Sequence, residues 1–179
     1  LYNFTGRHKE ALDLIQSRKF HPWEGGEGKV SAQYQLSLTE LAKECIRLGQ
    51  YEGAVEYLTA AQSFPHNLGE GKLYGAQEND THYWLGCAYA GMVRPDTANE
   101  FFIKATQGLS EPSAAIFYND QQPDKIFYQG LSHRKLGNEQ LAAEIFNKLI
   151  EYGNQNVNDE VKLDYFAVSL PHMLIFDDD

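Results

Sequence analysis

Two stretches of this chain hold the residue types that phosphate or sugar chemistry would use. Gly26-Glu27-Gly28-Lys29 recurs 43 residues later as Gly69-Glu70-Gly71-Lys72, and a glycine loop ending in lysine invites a phosphate-binding reading. That reading needs Gly, four residues, Gly-Lys and then a hydroxyl residue to hold magnesium. Trp23 and His66 stand at the first glycine place, and Val30 and Leu73 at the hydroxyl place. A Glu inside each loop also repels phosphate. Nucleotide binding is set aside. The structural reading of the two loops is a shaped turn that feeds the next helix, with its Glu near that helix's positive end.

Sugar chemistry draws on aromatic faces beside carboxylates, because ring C–H groups stack on aromatics while hydroxyls bond to acids. The connector residues that fit are Trp23, Glu27, Lys29, Glu70, Lys72 and Tyr74, with Glu24, Glu78, Asp80 and Asp120 as further acids. A glycosidase needs two acids roughly 5 to 9.5 Å apart, a distance that spacing does not supply. Asn79-Asp80, Asn119-Asp120 and Asn158-Asp159 each stand at or just before an expected helix start, where capping explains them. The six histidines, at 8, 21, 66, 82, 133 and 172, have no metal-ligand spacing on one helix. No Ser or Cys has a nucleophile's sequence context. No catalytic residue, metal ligand or cofactor is assigned, and this chain by itself is not expected to be an enzyme.

The elements that carry these loops are helices. Gly6 to Phe20 is expected to be a partial repeat, its first helix missing, so that the chain reads as a fragment of a longer protein. Val30, Tyr34, Leu38, Leu41, Ala42, Cys45 and Ile46 form one helical stripe, ended by Gly49 as a left-handed cap. Tyr51 to Phe64 forms the second helix of a hairpin spanning 30–64. A second hairpin spans 80–109, with Asp80 as its N-cap and Pro95 in the first turn of its second helix. Ala114 to Tyr118 is expected to make a short helical turn. A third hairpin spans 124–152 and turns at Gly137, a last helix covers 159–170, and a tail covers 171–179.

With 179 residues the chain is long enough for one well-buried domain without staples. Two cysteines, Cys45 and Cys87, lie inside helical stripes and suit small apolar contacts better than a disulfide. A net charge of -10 argues against general affinity for nucleic acid or anionic lipid, which need clustered Lys and Arg. No run reaches the roughly 18 apolar residues of a membrane span. No compartment is fixed by these features; the cytoplasm is the default expectation.

The hairpins resemble tetratricopeptide repeats. Leu85, Gly86, Tyr89, Ala98, Phe102 and Ala105 stand at that family's offsets. Ala42, Cys45, Gly49, Ala54, Leu58 and Ala61 fit one neighbouring hairpin, and Gly130, His133, Gly137, Ala142, Phe146 and Leu149 the other. Gly6, Ala11 and Ile15 match a second helix. Small residues at 42, 86 and 130, and at 54, 98 and 142, recur every 44 residues, about ten more than the standard repeat of roughly 34. The connectors are also similar to the C-terminal repeat region of large bacterial proteins whose β-rich N-terminal part suggests carbohydrate processing. That likeness rests on residues 22–29, 65–86 and 164–171.

The resemblance implies an all-α, right-handed superhelical solenoid that binds extended peptides or partner helices in a groove lined by its first helices. The positions matching that lining are Lys43, Arg47, Tyr83, Phe127, Arg134 and Lys135, four of them basic, which favours an acidic peptide. The expected role is a non-catalytic interaction module whose partner is a protein, a peptide or another domain of the same polypeptide. The alternative is an accessory domain that completes a carbohydrate site with an upstream part. Met173-Leu174-Ile175-Phe176 is expected to cover the open face of the last repeat, since terminal repeats need a cap.

Overall fold

The computed structural model describes residues 1–22, 26–113 and 121–159. Among these residues the chain is all-helical and contains no strand. A 3-10 turn at Asn3–Thr5 precedes α1 (His8–Gln16), followed by α2 (Lys29–Arg47) and α3 (Tyr51–Ala61). Then come α4 (Asn79–Gly91), α5 (Pro95–Ala105), α6 (Pro123–Lys135) and α7 (Glu139–Asn156), with a second 3-10 turn at His66–Leu68. The fold is of the all-α, helical-solenoid class. Two compact units form: Leu1–Tyr74 with Trp84–Phe101, and Gly75–Tyr83 with the described residues from Phe102 onward.

One turn geometry recurs through the chain. Gly6, Gly49 and Gly137 sit at φ 73°, 75° and 81°, and Val93 holds the same left-handed conformation at φ 58°. These residues are spaced by 43, 44 and 44 positions. In each turn the next residue donates its N–H to the carbonyl five positions back: Arg7 to Tyr2, Gln50 to Cys45, Arg94 to Tyr89 and Asn138 to His133, at 3.0, 2.8, 3.0 and 2.8 Å. This bond uses one of the carbonyls that a helix leaves open at its C-terminus. Glycine adopts the conformation freely, whereas an L-residue there costs about 1–2 kcal/mol. Val93 bears that cost, and Pro95 stands two residues on as the first residue of α5, where its missing N–H is harmless.

The small residues named from the 44-residue spacing all lie in helix contacts. Ala42, Ala54, Ala98 and Ala142 are at most 2% exposed, and Gly86 and Gly130 are buried. A Cβ added to Gly130 would stand 2.5 Å from the Phe146 ring, so α6 and α7 approach as closely as a bare backbone allows. In the first unit, Leu12, Ile15, Tyr34, Leu38, Ala61 and Leu68 form one cluster. Ala42, Ala54, Leu58, Leu85 and Ala88 form another. Cys45 and Cys87 are half-buried and not joined in a disulfide, and burial raises the Cys45 thiol pKa.

The second helices end on carbonyls that amide side chains satisfy. Gln35 Nε2 donates to the Ala61 carbonyl at 3.4 Å. Asn79, 44 residues after Gln35, donates to the Ala105 carbonyl at 2.9 Å and the Gln107 carbonyl at 2.8 Å. Asn67 reaches back to the carbonyls of Ile15 and Arg18, at 2.9 and 2.8 Å. The connectors are thus tied to helix ends, which is why they need polar side chains at fixed places.

Three sequence expectations change. The second helix of the first hairpin stops at Ala61 rather than Phe64, because Gln62 already takes the cap position. Asp80 is not an N-cap: α4 begins at Asn79, and Asp80 inside the first turn pairs with Lys125 at 2.7 Å. Lys72 does not feed a helix directly, since α4 starts only at Asn79. The expected turn at 114–118, the Asn119-Asp120 pair, the helix after Asp159 and the tail at 171–179 lie outside the described residues.

Candidate functional site

The repeated Gly-Glu-Gly-Lys loops come together through Glu70. Its Oε1 and Oε2 accept the Gly28 N–H at 3.1 Å each, and Oε2 also accepts the Ser31 hydroxyl at 3.0 Å. A carboxylate at the N-terminus of α2 meets both open N–H groups and the positive end of the helix dipole. The acid that serves this helix therefore comes from the second loop, 42 residues away, and not from Glu27 beside it, as the local reading expected. Glu27 and Lys29 are exposed.

Lys72 donates to the Gln62 carbonyl at 3.2 Å and lies 5.9 Å from the Phe64 ring centroid. Tyr74 stands fully in solvent, and Trp23 lies outside the described residues. Glu70 also lines a concavity of about 540 Å³ with Phe20, His21, Phe64 and His66. Among the described residues no group of three or more His, Cys, Asp or Glu is placed to hold a metal ion.

The candidate groove residues divide between the units. In the first, Lys43 and Arg47 line a concavity of about 490 Å³ together with Arg7, His8, Glu40 and Glu44. Each cation is matched on its own helix: Lys43 with Glu40 at 2.6 Å, and Arg47 Nε with Glu44 at 2.8 Å. The bond from Arg47 holds the Glu44 carboxyl below its ordinary range. Lys43 also stands 5.4 Å from the Trp84 ring centroid.

In the second unit, Tyr83, Arg134 and Lys135 line one concavity of about 340 Å³ with Leu131 and Glu139. Arg134 and Lys135 project from the last turn of α6, where cations complement the helix's negative end. Arg134 Nε is 3.6 Å from the Glu139 carboxylate, both side chains more than half exposed. Such an exposed pair contributes at most about 1 kcal/mol, so the guanidinium can exchange partners cheaply.

Tyr83 forms the floor of this concavity and is 8% exposed. Its ring packs on Phe102 at 5.9 Å and Tyr128 at 5.5 Å, so it offers an edge rather than the free side chain that its groove position suggested. Phe127 is 45% exposed and rests on Tyr128 and Phe146, each at 5.7 Å. Neither Leu131 nor Glu139 stood among the expected groove positions. Leu131, four residues after Phe127 and three before Arg134, had the helical spacing to be found.

Residues 36–64, within the α2–α3 hairpin and the residues just after it, and residues 126–152, within α6–α7, match two family models, each described as a tetratricopeptide repeat. Repeats of this kind generally mediate protein–protein interaction, and the proteins that carry them are typically non-catalytic scaffolds. No solved structure matches the chain. No helix among the described residues is long and apolar enough to cross a membrane.

Proposed function

We propose that these tetratricopeptide hairpins form a non-catalytic interaction module that docks an acidic peptide segment, from another protein or from a further part of the same polypeptide, against α6, the first helix of the last hairpin. The observation that carries this reading is the concavity lined by Tyr83, Leu131, Arg134, Lys135 and Glu139. It combines an aromatic floor, an aliphatic wall and two cations against one carboxylate, in a chain whose net charge is -10. Arg134 supplies a planar fork suited to a carboxylate, and Lys135 a second charge. A competing carboxylate from the partner needs only to displace the long, exposed contact with Glu139.

The carbohydrate alternative draws on Trp23, outside the described residues, and on Glu70, whose carboxylate already serves Gly28 and Ser31. The groove reading is therefore the one carried forward. The similarity to large bacterial proteins would make the larger polypeptide a natural source of the docked segment.

The test is fluorescence anisotropy with a labelled glutamate-rich peptide containing one aromatic residue, and with its lysine counterpart. The glutamate peptide should bind and weaken roughly tenfold or more in the charge-reversed variant R134E/K135E, with a steep salt dependence. The lysine peptide should not bind. Equal affinity of wild type and R134E/K135E for the glutamate peptide would refute the assignment.

A further inference from the structure

The α4–α5 hairpin differs from its two counterparts at two places at once. Where α2–α3 and α6–α7 turn on Gly49 and Gly137, α4–α5 turns on Val93, the one described non-glycine residue with a positive φ. Where the other two second helices begin with Tyr51 and Glu139, α5 begins with Pro95. The turn that is strained is the turn followed by proline.

The two substitutions act in opposite directions on one alternative conformation. If the turn opened and α4 ran straight on into α5, Val93 would return to the right-handed helix and its strain would vanish. The ring contacts between Tyr89 and Phe101, 5.3 Å apart and stacked, and between Tyr83 and Phe102 would then be lost within the chain. A second copy opened in the same way supplies the same contacts, which is the route to exchange of helices between copies.

Pro95 opposes this. Inside a continuous helix it leaves the Gly91 carbonyl without a donor and its ring clashes there, and it disfavours helical geometry at Arg94. The penalty of an interior proline exceeds the strain of a single left-handed residue.

We propose that Pro95 is the guard that keeps a strained hairpin folded back on itself, and that α4–α5 is the point where this chain exchanges helices with a second copy once the guard is removed. The inference does not depend on the peptide-docking reading. The experiment is size-exclusion chromatography with light scattering, after refolding the 179-residue chain from urea over a range of concentrations. Circular dichroism of each variant reports its helix content.

Wild type and V93G should be monomeric. P95A should form a slowly exchanging dimer, and V93G/P95A should revert towards monomer. Two strained turns relax per dimer, so the dissociation constant of P95A should lie at least about thirtyfold below that of V93G/P95A.

A transplant carries the test even if P95A loses its helical signal. Gly137 has open space where a Cβ would stand, so G137V adds strain without a clash, at a turn with no proline after it. G137V should dimerise, and G137V/E139P should not. A folded P95A that stays monomeric at every concentration, or a V93G/P95A that dimerises as strongly as P95A, would overturn the proposal. So would a monomeric G137V.

Discussion

Replacing Val93 by glycine should stabilise the protein, against the usual expectation that removing an apolar side chain weakens a fold. Three contributions decide the sign. Relief of the left-handed conformation returns about 1–2 kcal/mol. Glycine's freer unfolded chain takes back about 0.5–1 kcal/mol. The lost isopropyl group contributes almost nothing, because Val93 is 85% exposed.

The balance is a net gain of roughly 0.5–1 kcal/mol, or a rise in Tm of about 1–4 °C for a chain of this size. Thermal melts and urea midpoints of V93G and G137V read the prediction in both directions, since G137V introduces the same strain at an unobstructed site. V93G should rise and G137V should fall. If V93G melts below wild type, or both variants shift the same way, the argument from backbone conformation fails.

Three further outcomes follow from named contacts. E70A should lower stability by about 1–2 kcal/mol through loss of the cap on α2, while E27A stays within about 0.5 kcal/mol of wild type in the same urea titration. G130A should cost about 1–3 kcal/mol because its Cβ meets the Phe146 ring, and G130A/F146L should recover part of that loss in thermal melts. Burial holds the His133 imidazole below its ordinary value near 6.5, so the unfolded chain takes up its proton more readily than the folded one. Its contribution is complete above pH 6.5 and lost as pH falls below that value. Urea midpoints of H133N should accordingly show a flatter slope than wild type between pH 5 and about 6.5.

The hairpins were legible because their signals are local: stripes at helical spacing, glycine at 49 and 137, and small residues every 44 positions. The turn at 93 hid from the same logic because valine is the residue least suited to it. Glu70 was visible as an acid in a repeated loop, but its partner lies 42 residues away, and no local rule joins a loop to a helix start in another repeat. Asp80 read as a cap from its neighbours alone, while the cation that engages it, Lys125, stands on α6. Arg134 and Lys135 line a concavity on α6, and Tyr83 beside them is more buried than its position suggested. A helical stripe says which face is apolar but not that Phe102 and Tyr128 close over the ring.

The contacts of Asn67 and Glu70 also govern the order in which the chain can mature. Asn67 holds the end of α1, and Glu70 holds the start of α2. During synthesis, at about 5–20 residues per second, both helix ends remain without these partners until residue 70 has emerged. The α2–α3 hairpin, closed by Gly49, needs only neighbours in sequence and can form before that. The end of α1 and the start of α2 are thus the last parts of this region to lock. E70A should leave the early helix-forming phase unchanged while accelerating local opening at residues 26–28.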